Sequence, residues 1–236
     1  EGNILLNLDS EDEGELYIGC AGGMNTTATL NYKEEDVPAG SVAFKLEIKG
    51  LKGGHSGLDI HLGRGNANKL MNRFLWEAEE KLNLRVSSIE GGSLRNAIPR
   101  ESIAVVTVPE DMKADLEKTV EEYHNMFVNE FKEPEPDLSF TANETDLPGK
   151  VMNRDSQDKM IKMVYGIPNG VMRMSSDMPG VVETSTNLAI VNVKEGEVTA
   201  LCLIRSSIDS AKFSVGNMAQ AVMELAGAKV VQDGTY

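Results

Sequence analysis

The chain is poor in the residues that staple small folds: two cysteines, three histidines and one tryptophan among 236 residues. Cys20 and Cys202 lie far apart in apolar runs, and neither has a Cys-x-x-Cys partner, which excludes a cysteine-built structural zinc site. Both read as reduced core residues of a cytosolic protein. Positive charge is scarce as well. The 23 Lys and Arg against 37 Asp and Glu leave a net charge of −14, with a sequence pI near 4.7, so neither nucleic acid nor an anionic membrane surface is expected as a partner. No apolar run approaches the ~20 residues of a membrane span, and there is no signal-like start, so a cytoplasmic location is expected. What the chain does have is 41% apolar content, enough to bury a core as one large domain or two small ones.

The apolar run Ile4-Leu5-Leu6-Asn7-Leu8 begins almost at once and reads as a buried strand, so the opening is expected to come from the middle of a longer protein. Asp9 follows directly. A carboxylate at the C-terminal end of a buried strand is where open α/β sheets place ligand groups. The cluster from Asp9 to Glu15 superficially matches a calcium loop, but its twelfth position is Cys20, where a bidentate Glu is required, and no helix precedes it. Glu11 to Glu15 is a solvated acidic turn, and Asp9 is the member singled out.

The organising stretch is Gly53-Gly54-His55-Ser56-Gly57-Leu58-Asp59-Ile60-His61. A strand, with Phe44, Leu46 and Ile48 alternating inward, runs into two glycines that let the backbone turn and present the His55 ring at the sheet's edge. The plain alternative is a surface histidine on a glycine-rich turn.

The remaining pattern is α+β. Leu16 to Ala21 and Thr26 to Tyr32 read as a hairpin around Gly22-Gly23-Met24-Asn25. A helix carries the stripe Leu70, Met71, Phe74, Leu75, Ala78, Leu82, and a second runs from about Asp111 to Phe131 with Met112, Leu116, Val120, Tyr123 and Phe127 on one face. His124 on that helix has no expected role. Strands near 84–89, 103–108 and 138–142 complete a β-α-β-β-α-β order, that of a split βαβ unit with helices on one face of an antiparallel sheet. The rest repeats the plan loosely: a helix near 156–165, strands near 170–175, 186–193 and 197–205, a helix near 210–226 with Phe213, Met218, Val222 and Leu225 on one face, and a closing strand near 229–232. Two ferredoxin-like halves, divided near 143–155, are the expected architecture.

Five runs in order resemble one family. They are Leu5 to Glu15, Gly19-Cys20-Ala21-Gly22-Gly23, Lys49 to Gly57, His61-Leu62-Gly63-Arg64-Gly65-Asn66-Ala67, and Glu183-Thr184-Ser185-Thr186-Asn187-Leu188-Ala189. They are similar to the bacterial Xaa-His dipeptidases (aminoacyl-histidine dipeptidase, peptidase D) of the zinc aminoacylase and carboxypeptidase clan. The resemblance implies a metallo-dipeptidase of two parts: a catalytic domain holding two zinc ions, and a smaller lid domain that closes over the dipeptide. Of the family's metal ligands only one has a match, Asp9; no His-x-Asp occurs, and no Glu-Glu follows a suitable strand. The implied division is a remnant of the catalytic domain over 1–11 and a lid domain over 12–236, with no stable zinc and no activity of its own.

Within the lid the resemblance implies three roles. His55 stabilises the oxyanion formed at the scissile carbonyl. Asn96, in Asn96-Ala97-Ile98-Pro99, hydrogen-bonds substrate, and Arg205 clamps the dipeptide's free carboxylate through its planar guanidinium. Without the resemblance, Asn96 reads as a turn cap and Arg205 as half of a surface salt bridge. A competing class is an oligomerisation module, because lid domains of this clan pair edge-to-edge as homodimers.

Overall fold

The computed structural model describes Gly14 and residues 20–236. Asp9, the strand over Ile4 to Leu8 and most of the acidic turn lie outside the described residues.

The described chain opens with β1 (Gly22–Asn31), short β2 (Glu34–Asp36) and β3 (Ser41–Lys49), then the two-residue β4 (Gly54–His55) and α1 (Ala67–Lys81). Next come β5 (Arg85–Gly91), the two-residue β6 (Ala97–Ile98), β7 (Ser102–Pro109), α2 (Lys113–Glu130), β8 (Ser139–Thr145) and short β9 (Lys150–Met152). The last part holds α3 (Arg154–Gly166), β10 (Gly170–Met174), β11 (Val182–Lys194), β12 (Glu197–Ser206), α4 (Asp209–Leu225) and β13 (Lys229–Asp233). The fold is α+β: four helices among the described residues and a nine-stranded sheet in the order β13-β1-β12-β11-β5-β7-β3-β8, with β10 on β11. Its pairings are antiparallel.

Side-chain alternation along the strands sets which face the helices cover. Phe44, Leu46 and Ile48 of β3 are buried, while Lys45 and Glu47 between them are half exposed. On β12 Leu203 is buried outside the core, and Val198, Ala200, Cys202 and Ile204 are buried within it. These residues join one core with the inward stripe of α1, whose Phe74 meets Tyr123 and Phe140 edge-on at 5.4 and 5.0 Å. Asn66 caps α1 by accepting the Lys69 N–H at 3.2 Å. The helices touch in series, α2 on α1, α1 on α3 and α3 on α4, so the helical layer runs along the sheet. The chain does not fill the sheet from one side to the other: β1 lies between β12 and β13, strands from the far end of the sequence.

Three expectations are corrected. There is no hairpin turn over Gly22 to Asn25, because β1 runs straight through it, pairing with β12 on one side and β13 on the other. The glycines serve a close approach instead: a Cβ on Gly23 would lie 2.5 Å from the Tyr236 ring. Cys202 is buried as expected, but Cys20 is exposed. On α4 three of the four expected stripe residues, Phe213, Met218 and Leu225, are exposed, and only Val222 packs against the core. The sheet-facing residues are Val215, Gly216, Ala219 and Met223, together with Lys212, whose ammonium reaches Asp209 Oδ1 and the Tyr236 carbonyl, each at 2.9 Å. Small residues bring this helix close to β1, so hydrophobicity alone selects the wrong face.

Candidate functional site

β4 pairs with β6, setting Gly54 against Ile98 and His55 against Ala97. One step further, the Ser56 N–H donates to the Asn96 carbonyl at 2.9 Å. The sequence-distant His55 and Asn96 are thus neighbours. Gly54 has φ +134°, and a Cβ there would overlap Arg64 Nη1 and lie 2.5 Å from Asp59 Oδ2. Only glycine fits. The groups it makes room for brace the turn. Asp59 Oδ2 accepts the His55 backbone N–H at 2.8 Å and lies 3.3 Å from Arg64 Nη1, which donates to the Gly53 carbonyl at 2.5 Å.

The ring of His55 is oriented by its own turn. Nδ1 accepts the backbone N–H groups of Gly57 at 3.3 Å and Leu58 at 3.1 Å. A ring nitrogen that accepts carries no proton, so this network assigns the neutral ring's proton to Nε2. Arg205 Nη2 stands 3.3 Å from that same Nε2. With Nε2 protonated, this contact sets donor against donor, and the pair is satisfied by an anion that both can reach. Burial holds the His55 pKa below its ordinary value, and the Arg205 charge lowers it further, with Asp59 opposing.

Arg205 is itself positioned from three sides. Its Nε donates to the buried Ser56 Oγ at 3.2 Å, and Nη1 donates to the Tyr236 hydroxyl at 3.4 Å. On β12 it is registered between Gly23 of β1 and Ser185 of β11. Asn96 offers its side chain from an exposed position. Its loop is tied down by the fully buried Asn187, whose Nδ2 donates to the Ala97 carbonyl at 2.7 Å. A bulge between Leu188 and Ile190 shifts the β11–β12 register one paired residue beyond Asn187. None of the three candidates lines the cleft of about 440 Å³ behind the hairpin, which is walled by Lys52, Gly54, Leu94 and Ile98.

The structure therefore gathers His55, Asn96 and Arg205 into one place. Ser56, Asp59, Asn187 and Tyr236 were missed. The first three stand within or beside recognisable runs, Asp59 four residues after the histidine, whereas Tyr236 carries no local signal. His124 donates nothing to this site; its Nδ1 accepts the Phe140 N–H at 3.2 Å. Among the described residues no three or more His, Cys, Asp or Glu come together to hold a metal ion, and Asp9 lies outside them. The described residues do not fit a zinc pair.

The chain is 45% identical over 236 residues to the cytosol non-specific dipeptidase of Escherichia coli (strain K12), covering 100% of this chain and 49% of that one. Its fold matches the crystal structure of aminoacylhistidine dipeptidase from Vibrio alginolyticus with a TM-score of 0.94 at 46% identity, over 100% of this chain and 48% of that one. From end to end the chain is therefore similar to proteins of this dipeptidase family. Residues 46–135 match the Peptidase dimerisation domain, so the region represented includes that domain. The chain spans about half the length of the two relatives. Among the described residues no helix is long and apolar enough to cross a membrane.

Proposed function

We propose that residues 12–236 form the lid and substrate clamp of a cytoplasmic zinc dipeptidase that hydrolyses Xaa-His dipeptides. The observation that carries this reading is the convergence of two oriented N–H donors, His55 Nε2 and Arg205 Nη2, at 3.3 Å. A dipeptide presents two anionic oxygen groups within one residue of each other, about 3.8 Å in Cα spacing: the developing oxyanion at the scissile carbonyl and the free carboxylate. His55, fixed by Gly57 and Leu58, suits the first, because a preorganised N–H rewards charge as it develops. Arg205, held by Ser56 and Tyr236, suits the second. Asn96 adds an exposed amide beside them. In this reading the two zinc ions and the general base belong to the catalytic domain, to which residues 1–11 with Asp9 are joined. The clamp lies on an exposed surface, so that domain supplies the opposite wall.

The test is hydrolysis of an Xaa-His dipeptide by the intact protein. His55→Ala, Asn96→Ala and Arg205→Ala are each expected to lower kcat/KM with zinc content and circular dichroism unchanged. Unaltered turnover in all three removes the clamp.

The match to a dimerisation domain supports a second reading, an oligomerisation module. The sheet bears on it. We read β3-α1-β5-β7-α2-β8 as one split βαβ unit, inserted between the first strand and first helix of another, β1-α3-β11-β12-α4-β13. Each set lies across the sheet in the order fourth, first, third, second, and the second strands, β5 and β11, meet in the middle. The edge of β5 is thereby occupied by this chain's own β11, leaving β8, β13 and the short β10, which pairs with β11 alone, as the outer strands of the described sheet. A homodimer of the intact protein in sedimentation velocity, lost on placing Pro in β8 or β13, supports the module reading. A monomer at high concentration counts against it.

A further inference from the structure

We propose that Glu135 is the positioning residue for His55, its buried carboxylate closing the neck of the loop that presents the ring. Glu135 is 1% exposed. Its Oε2 accepts the Lys52 N–H at 2.7 Å and its Oε1 accepts the Gly65 N–H at 2.9 Å. Those two donors bracket Gly53 to Arg64, the segment carrying His55, Ser56, Asp59 and Arg64. One carboxylate thus holds both ends of the loop, each oxygen taking one end.

The two sides of the clamp differ in rigidity. Glu135 lies at the end of the turn that follows α2, and its N–H donates to the Phe131 carbonyl at 2.8 Å, while its own carbonyl accepts the Leu138 N–H at 3.2 Å. Leu138 and, beside Lys52, Leu51 are core residues. The loop beyond the neck exposes Leu58 and Leu62 and buries little of its own. It has the form of an Ω-loop, whose shape depends on how its ends are fixed. Taking a carboxylate out of water is costly, and two backbone donors without a cation offset that only in part. An apolar residue would fill the space but could not bind either N–H, so the charge has a local purpose. Because the β4–β6 pairing and the Nδ1 contacts all start within this loop, the neck sets where the ring stands relative to Arg205 on β12.

The role assigned to His55 rests on the clamp reading; the geometry that Glu135 imposes does not depend on it. The experiment is therefore spectroscopic, on the intact protein. Glu135→Gln keeps the size but turns an amide N–H₂ against one of the two backbone donors. Long-range ¹H–¹⁵N spectra of the wild type are expected to show His55 with Nδ1 bare and Nε2 protonated. In E135Q the two tautomers average and the titration midpoint moves, while amide exchange over residues 52–65 rises by roughly tenfold, the ratio allowed by losing one net hydrogen bond. Amides of α1 and β12 stay protected. Should E135Q not fold, Glu135→Asp, which keeps the charge but reaches one end only, is read the same way. A variant with a lower Tm but an unchanged His55 tautomer, midpoint and loop exchange makes Glu135 merely structural and overturns the proposal. Hydrolysis measured alongside separates the two ideas: full activity in His55→Ala, Asn96→Ala and Arg205→Ala together sinks the clamp, yet the E135Q spectra still decide whether Glu135 positions the ring.

Discussion

Replacing Arg205 with Met removes one of two donors from a pair only 3.3 Å apart, together with its bonds to Ser56 Oγ and the Tyr236 hydroxyl. Loss of one preorganised donor to a reacting oxyanion or its neighbour typically costs about 3–4 kcal/mol, or about 10²–10³-fold in rate. R205M is therefore expected to lower kcat/KM for an Xaa-His dipeptide in the intact protein by about that factor. The double variant with His55→Ala should fall by less than the product of the singles, since groups this close act on one bound molecule.

The pH profile gives a sharper test. Protonating His55 puts a proton on Nδ1, which then faces the N–H groups of Gly57 and Leu58 instead of accepting from them. Burial and Arg205 lower the pKa of His55, and Asp59 raises it. Without Arg205, burial still lowers it but less is left to do so, and the midpoint rises. The acid limb of kcat/KM, and the His55 midpoint seen by NMR, should both move to higher pH in R205M. The sign for stability is consistent. A folded-state pKa below the unfolded value makes the unfolded chain bind more protons, so His55's contribution is complete above pH 6.5 and lost as pH falls through the folded midpoint. An acid limb that stays put or moves down in R205M, or single effects that multiply fully, refutes the paired-donor argument.

Two further perturbations probe the frame around the site. Lys69 on α1 donates to the Val164 carbonyl at 2.7 Å, the Tyr165 carbonyl at 3.0 Å and the Ile167 carbonyl, capping the end of α3. Lys69→Met should lower unfolding free energy by about 2–4 kcal/mol in urea titrations. Burial pulls Lys69 down to about 8 from 10.5, so between those values the unfolded chain holds a proton the folded one has shed, and wild-type stability gains with pH; the gap to K69M should widen from pH 7 to pH 9.5, and a narrowing gap would contradict it. Phe74 is fully buried between Tyr123 and Phe140, so Phe74→Ala should cost about 3–5 kcal/mol and leave the His55 tautomer signal in place.

Local sequence pattern carried the first half of the fold well because its strands and helices each bury one regular stripe. Phe44, Leu46 and Ile48 alternate, and Leu70, Met71, Phe74, Leu75 and Ala78 recur at helical spacing, and each set is buried. Where pattern failed, the packing partner lay far along the chain. Gly22 to Asn25 look like a turn until Tyr236 occupies the space that the two glycines leave. The stripe of α4 looks inward until small residues are needed for the approach to β1. The site divides in the same way. His55 is visible on its glycine turn, but Glu135 sits in Glu133-Pro134-Glu135-Pro136, which reads only as a helix break, because the donors that give it meaning are Lys52 and Gly65.

Arg205 shows how far the site depends on register. On β12, Val198, Ala200, Cys202 and Ile204 face the helical layer, so by alternation Arg205 must face the other way, where the loop from Gly53 to Arg64 folds over the sheet. A slip of one residue would turn the guanidinium into the core and Ile204 toward His55. Pairing on both sides prevents it. β1 matches β12 without interruption from Gly22 opposite Ser206 to Asn31 opposite Glu197, and β11 is fixed from Thr184 opposite Ser206 onward. Opposite Arg205, β1 offers Gly23, and the space above that glycine is filled by the Tyr236 ring, whose hydroxyl accepts from the guanidinium. Three remote parts of the chain thus place one cation beside one imidazole, which is why neither its neighbour nor its purpose could be read from the run Leu201-Cys202-Leu203-Ile204 alone.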